Sequence, residues 1–471
     1  MFKIVDSEIE LAQHQIDAIE FIKSHKNSLV NYDTGTGKTY IAIQSAFDLF
    51  NNYEYNKAII VCTKSSILSF YSDLEGTNYK SKDILEIKSN NDIKGIYKDN
   101  KRIILIQFET LLSLRLSDLN KAFKDFKSVL IIDEVHRVKT VGKKKAAQTA
   151  NCLKIIKTVH NKLVGLTATT ITSKPEDFYR ICDYIQPRIL GGYKWFKKNF
   201  CICQKGSRYN RKYHKYVEFE KIVQYKDLNK LLEFTKSIMI QFFPEMDYRF
   251  HLLTKSINPD SETWDRYCEL AESTHGNDNH SSIGPKLRRL VNKSKTKRFL
   301  LRKCIEQCID RGMIIFCQFR KADMFDYIQD ILTKEGVESK VINGSTKDRK
   351  SIMEWMRKDP KNKALVISLA GGQSLNLHFT NNLIFFTIPQ GIGQFAQTKG
   401  RIGRMFSKFK HYNFYFPVVK NTVDDYDYQR FLSQKEIIKY TANDNYIPDS
   451  KFVKFDERKL KRLRDKHLWM K

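Results

Sequence analysis

The sequence has little of several things that define whole classes of protein. Its nine cysteines include no Cys-x-x-Cys pair, the closest being Cys201 with Cys203 and Cys304 with Cys308. That excludes a disulfide framework and the usual zinc spacing, and the thiols are expected to be reduced and mostly buried. No apolar run approaches the roughly 18 residues needed to cross a bilayer, and Met1 to Glu10 lacks the charged-then-apolar profile of a secretory signal. A soluble, cytoplasmic protein without a membrane partner is therefore expected. Acidic residues are in deficit: 53 Asp and Glu stand against 82 Lys and Arg, a formal net charge of +29. An excess of this size makes a polyanion the expected partner, through phosphate neutralisation and counterion release. Nucleic acid is the first candidate. Hydrophobic residues make up 41% of the 471 positions and aromatics 12%, which is ample for buried cores and for two or three domains.

Short apolar runs alternate with longer amphipathic stretches, the pattern of an α/β protein whose parallel sheet is covered by helices on both faces. Expected strands in the first half are Ser28 to Asn31, Ala58 to Cys62, Ile103 to Gln107, Val129 to Asp133 and Leu163 to Leu166. A second series follows at Met313 to Cys317, Ser339 to Ile342, Ala364 to Ser368, Asn382 to Thr387 and Asn413 to Phe416. Between them, about Gly191 to Lys230, aromatic and basic residues interleave, which suggests an insertion. The last segment, Lys451 to Lys471, holds nine Lys or Arg and three acids, a basic helix or a frayed tail.

After the first strand comes Asp33-Thr34-Gly35-Thr36-Gly37-Lys38-Thr39, then a helical pattern from Ile41 to Phe50. The context is that of a P-loop. Glycines let the backbone wrap a phosphate, the helix presents its N-terminus to the anion, Lys38 reaches β/γ oxygens and Thr39 can ligate Mg²⁺. Tyr32 stands where the usual pattern has its first glycine. About one hundred residues on, the apolar strand Val129 to Ile132 ends in Asp133-Glu134-Val135-His136. A carboxylate pair at a strand tip suits metal chemistry, with Asp133 on Mg²⁺ and Glu134 polarising the attacking water. In the second half, Gln397-Thr398-Lys399-Gly400-Arg401-Ile402-Gly403-Arg404 sets two guanidinium groups three residues apart, suited to a γ-phosphate in transit.

In this order, across two α/β units, these elements resemble the superfamily 2 helicases, the DExH-type motor ATPases. The finer resemblance is to the Swi/Snf-like branch with its annealing-helicase and fork-remodelling members. Ile60 to Ser65 is similar to the family's first nucleic-acid motif, Ile106 to Leu111 to the later strand-loop motif of the first domain, Leu166-Thr167-Ala168-Thr169 to motif III, and Asp133 to Lys139, D-E-V-H-R-V-K, to the Swi/Snf form. Ile342 to Thr346 with Arg349, and Ser368 to Leu377, resemble the motifs between IV and V.

The resemblance implies two RecA-like parallel-sheet domains in tandem, an N-terminal one over 1–240 that includes the basic and aromatic insertion 191–230, a C-terminal one over 241–430, and a basic extension over 431–471. It implies ATP and Mg²⁺ as cofactors. Gln15 would read adenine, the loop from Thr34 through Gly35, Thr36, Gly37, Lys38 and Thr39 would hold phosphate, and Thr39 with Asp133 would hold the metal. Glu134 would serve the water, His136 with Gln397 would couple the domains, and Arg401 and Arg404 would be arginine fingers. Lys64, Ser65, Thr110, Ser345 and Ser368 match track-contact positions. The expected activity is an ATP-dependent DNA helicase or translocase acting on duplex, forked or branched DNA. An RNA helicase and a duplex remodeller without strand separation remain the alternatives. The compact, Lys-, Asn- and Ile-rich sequence points to a bacteriophage or viral genome, hence a bacterial host cytoplasm.

Overall fold

The computed structural model describes residues 11–33, 35–52, 55–64, 66–67, 70–71, 84–98, 101–139, 145–168, 170, 176–210, 215–226, 228–243, 249–272, 283–319, 322–368, 375, 377–389, 392–403, 409–439 and 446–448. The chain divides into two units, Met1–Pro244 and Glu245–Lys471.

The first unit opens with helix α1 (Gln13–Ser24), strand β1 (Asn27–Tyr32) and helix α2 (Lys38–Asn51), then continues through β2 (Lys57–Cys62), β3 (Ile84–Ile87), β4 (Ile103–Gln107), β5 (Ser128–Asp133) and β6 (Lys162–Thr167). These strands, with a later one, form a parallel sheet in the order β3-β4-β2-β5-β6-β1-β9, where β9 is Met239–Phe242. Every residue of β2 and β6 is buried, as are the first five of β5. A strand covered on both faces has no solvent side to make polar, which is why Ile-Ile-Val and Leu-Ile-Ile runs were readable as strands. The edge strands β3 and β9 were not anticipated. Each is four residues long and lacks a long apolar run to announce it.

Helix α3 (Glu176–Ile185) and helix α4 (Tyr193–Phe200) lead into an antiparallel hairpin, β7 (Cys201–Asn210) with β8 (Lys215–Tyr225), which forms a two-stranded sheet of its own. The aromatic residues of the expected insertion divide here. Phe196 and Phe200 are buried, with Tyr179 of α3 at 4.8 Å from the Phe196 ring and Phe234 at 5.5 Å from Phe200. Tyr216, near the start of β8, is 73% exposed. An ion pair of 2.9 Å between Lys197 Nζ and Glu220 Oε2 ties α4 to the hairpin.

The second unit is another parallel sheet, order β12-β13-β11-β14-β15-β10-β16, from β10 (Arg249–Ile257), β11 (Met313–Phe316), β12 (Glu338–Ile342), β13 (Lys363–Ile367), β14 (Asn382–Phe385), β15 (His411–Val419) and β16 (Tyr446–Pro448). Helices α5 (Ile392–Ile402) and α6 (Val423–Lys439) bring Phe395 and Phe431 onto the rings of Phe385, Phe414 and Phe416. The structure draws the boundaries differently from those the resemblance implies. A division after residue 240 cuts β9, which belongs to the first sheet because Leu29 to Tyr32 pair with Met239 to Phe242. A division after residue 430 cuts α6, whose Phe431 is buried, and β16 pairs with β10. The basic stretch 451–471 lies outside the described residues. All nine cysteines are free thiols, and among the described residues no helix is long and apolar enough to cross a membrane.

At the amino end of β5, Ser128 Oγ and His160 Nδ1 share a 2.7 Å hydrogen bond, while His160 Nε2 is sealed from solvent with no hydrogen-bond partner among the described residues. Burial pushes this imidazole down to about 3. The unfolded chain takes up a proton below about 6.5 that the folded one refuses, so stability complete above that pH is lost as the pH falls towards 3. Between pH 7 and pH 5 the loss is expected to reach about 2 kcal/mol. Urea unfolding at the two pH values checks this, with His160→Gln flattening the difference.

Candidate nucleotide site

β1 ends at Tyr32, and the chain turns through Asp33, Gly35, Thr36 and Gly37 into α2. Gly35 and Gly37 have φ of 80° and 78°, the left-handed region that a Cβ makes costly. Gly37 is also the N-cap of α2, and a Cβ there would stand 2.0 Å from Gln15 Nε2. Thr36 Oγ1 donates to Asp33 O at 2.8 Å and closes the turn. Lys38 Nζ donates to Tyr32 O at 2.9 Å and Asp33 O at 2.8 Å, so the ammonium lies across the mouth of the loop. Tyr32, which replaces the pattern's first glycine, is 1% exposed and donates its hydroxyl to His14 O at 2.7 Å. It is the buried last residue of the strand, and the turn is made without it. Thr34 lies outside the described residues.

α1 packs beside this loop. Gln15 is buried, its Nε2 donates to Thr36 O at 3.3 Å, and its Oε1 accepts from Ala12 N at 2.9 Å. The expected adenine reader is thus placed with its amide on the loop.

β6 lies between β1 and β5, pairing Asn31 with Thr167 and Asp133 with Leu166. Parallel strands bring their carboxyl ends to one edge, so the P-loop and Asp133 flank Thr167 there. Burial first, then the Glu134 carboxylate, pushes the Asp133 carboxyl up to about 6, against the opposing pull of the Ser66 hydroxyl and the Lys38 ammonium. Glu134 has φ of 55°, uncommon for a side chain with a Cβ and typical of strain held at working sites. Its Oε2 lies 3.1 Å from His136 Nδ1, which is also 3.4 Å from Thr167 Oγ1. His136 therefore joins the carboxylate pair to the Leu166-Thr167 segment.

The donors suit a magnesium nucleotide. The α2 N-terminus and Lys38 face an anion, and the Thr39 hydroxyl with the Asp133 carboxylate are hard oxygen donors of the kind Mg²⁺ takes alongside phosphate. Among the described residues there is no group of three or more His, Cys, Asp or Glu side chains placed to hold a metal ion.

The remaining expectations scatter more widely. Lys64 is exposed just beyond β2, beside a Thr63–Ser66 cap with a 2.8 Å hydroxyl contact, and Thr110 follows β4. Both lie on the carboxyl edge of the first sheet, whereas Ser65 lies outside the described residues. In the second unit, Ser345 donates to Asn343 Oδ1 at 2.7 Å within a tight turn, and Ser368 is 7% exposed with its N–H on Ile342 O. Arg401 lies on α5, where its carbonyl accepts from Leu377 N at 2.8 Å. Gln397 is one turn earlier on α5, its side chain outside the described residues, as is Arg404. Three contributors were not singled out from sequence: His14, Ser66 and Phe242. Only Thr63-x-x-Ser66, a capping pattern, carries a local signal.

Residues 8–172 match the sequence profile of the type III restriction enzyme res subunit, and residues 296–406 match that of the helicase conserved C-terminal domain. Together they cover more than half of the chain, in the order that helicases carry them. The chain belongs to the superfamily 2 helicases. Similar relatives include an uncharacterised ATP-dependent helicase of Mycoplasma pneumoniae, 23% identical over 92% of this chain and 42% of its own length. Another is the DNA repair and recombination protein RDH54 of Saccharomyces cerevisiae, 23% identical over 89% of this chain and 51% of its own. This helicase-family chain spans about half the length of those relatives. A solved SWI2/SNF2 ATPase core from Sulfolobus solfataricus, in complex with dsDNA, aligns over 98% of both chains at 18% identity with a TM-score of 0.41.

Gly37→Ala is expected to weaken binding of a fluorescent ADP about tenfold or more, since the new methyl would meet Gln15 and take a left-handed φ. Titration checks it; affinity within twofold of wild type would show that the loop accepts a side chain there.

Proposed function

We propose that this helicase-family protein is a nucleic-acid-dependent ATPase that uses ATP and Mg²⁺ to move along or remodel DNA in replication, repair or recombination. The observation that carries the reading is the strand pairing that brings the glycine loop with Lys38 and the Asp133-Glu134 pair to one sheet edge, on either side of β6. Lys38 and the α2 N-terminus bind the β and γ phosphates, Thr39 and Asp133 orient the metal, and Gln15 adds adenine contact. When bound, Mg²⁺ neutralises charge on the phosphates. Glu134, held in an uncommon backbone conformation beside His136, positions water and accepts its proton. Gln397, Arg401 and Arg404 are assigned to coupling and to the γ-phosphate on the family resemblance alone.

Support for a nucleic acid comes from the net charge of +29 and from the positions of Lys64 and Thr110 on the same edge as the ATP site. DNA over RNA is favoured by the Swi/Snf-like form of the Asp133 to Lys139 motif and by the repair and recombination role in the name of the yeast relative. The hairpin β7–β8, which carries an exposed Tyr216 and several Lys and Arg residues in its sequence, has the composition of a stacking element for bases at a junction. The Lys-, Asn- and Ile-rich composition supports a bacteriophage or viral source and a bacterial host cytoplasm.

ATPase rates measured without polymer and with single-stranded DNA, duplex DNA, forked DNA and RNA test the reading. Strong stimulation by DNA is expected; equal rates in all five would sink it, and RNA alone as activator would select the RNA alternative. Lys38→Ala and Glu134→Gln should each lower turnover by on the order of 10² or more, the second with nucleotide binding kept. Tyr216→Ala should weaken single-stranded DNA binding about tenfold while DNA-free ATPase is unchanged; anisotropy at two salt concentrations measures it.

A further inference from the structure

The side chain of His14 sits between two parts of the first unit. Its Nε2 is 3.1 Å from Thr36 O, and its ring stacks on Phe242 with centroids 4.1 Å apart and planes 2° from parallel. A carbonyl oxygen only accepts, so Nε2 carries a proton and donates. Gln15 Nε2 donates to the same oxygen from 3.3 Å. The Thr36 carbonyl is therefore held from the α1 side by two donors. The peptide it belongs to is planar and trans, as are all described peptides. The N–H of Gly37 must then point away from α1. Gly37 caps α2, so this N–H stands at the positive end of the helix with the other donors that face an anion.

Phe242 is not a passive backing. It is the last residue of β9, and its carbonyl accepts from Asp33 N, the first amide of the loop, at 3.1 Å. The strand that ends the described part of the first unit holds the loop's entry through its backbone. Through its ring it holds His14, which in turn holds the Thr36–Gly37 peptide.

We infer that His14 is a positioning residue for the P-loop: its Nε2–H, held on Phe242, fixes the Thr36–Gly37 peptide with the Gly37 amide aimed at the phosphate. This rests on the P-loop reading and adds a residue to it. A donor already aimed binds an anion without ordering a peptide on arrival, so replacing His14 by a residue without an N–H donor should raise the dissociation constant and KM for nucleotide while sparing kcat.

The test uses the full chain and two substitutions of similar shape, His14→Gln and His14→Met. Both lose the stack on Phe242, so both should lose the same few degrees of Tm. Only Gln retains an N–H that reaches the carbonyl. His14→Gln should bind fluorescent ADP within about threefold of wild type. His14→Met should bind about tenfold more weakly, with a matching rise in KM and kcat at saturating ATP nearly unchanged. Equal affinities for the two variants would overturn the inference, because the donor would then do nothing beyond filling space. Phe242→Leu, which leaves the donor but removes the ring beneath it, should give an intermediate loss, and no loss would overturn the part assigned to Phe242. Wild-type protein and Lys38→Ala accompany the series. If wild type fails to bind fluorescent ADP, or Lys38→Ala binds as well as wild type, the P-loop reading fails; if those two separate as expected while Gln and Met do not, only the role of His14 fails.

Discussion

In a parallel sheet every strand runs the same way, so the hydrogen bonds that pair β1 with β6 and β9 also decide where the chain turns. The turn after β1 falls beside Thr167 at the end of β6, and the turn after β5 falls one strand further on. Were β1 shifted by one residue against β6, each of its side chains would move to the opposite face and the loop would start about 3 Å from its place beside Thr167. Leu29 and Val30, successive residues of β1 on its opposite faces and both wholly buried, hold the present register. Packing of the sheet is thus the cause, and the meeting of Lys38 with Asp133 and Glu134 is its consequence.

The closeness of Asp133 to Glu134 is electrostatically unfavourable for the carboxylates, the Lys38 ammonium offsets part of it, and the pair is favourable for a further cation. Two acids stand side by side at a buried edge, one with its proton affinity raised and the other in a left-handed backbone conformation. A fold optimised for stability alone would relax either feature. A bound divalent cation would relieve the first. The helix dipole, the lysine and the two acids are each modest separately, and sharing one edge makes them a candidate catalytic centre.

The hairpin β7–β8 shows how similar composition can serve two ends. Phe196 and Phe200 fill a ring cluster that seats the hairpin on the first unit, and Tyr216 is left in solvent. A run of interleaved Lys, Arg and aromatic residues signals nucleic-acid contact when the rings are outside and a core when they are inside. Position in the fold separates the two, since residue type is the same in both.

The order of residues alone determined the fold class and pointed to much of the candidate site. Buried strands such as Ile103–Gln107 announce themselves because both faces must be apolar, and Gly35-Thr36-Gly37-Lys38 announces a phosphate turn because few other residues tolerate that backbone. The short edge strands, the true ends of each unit and the helix that runs through residue 431 were decided only in three dimensions, where pairing partners hundreds of residues away supply what local pattern lacks. The same holds for His14, Ser66 and Phe242. Each does its work by touching an atom distant in the chain, Thr36 O from His14, the Asp133 carboxylate from Ser66, the His14 ring from Phe242, and no spacing of residue types along a single sequence encodes such a contact.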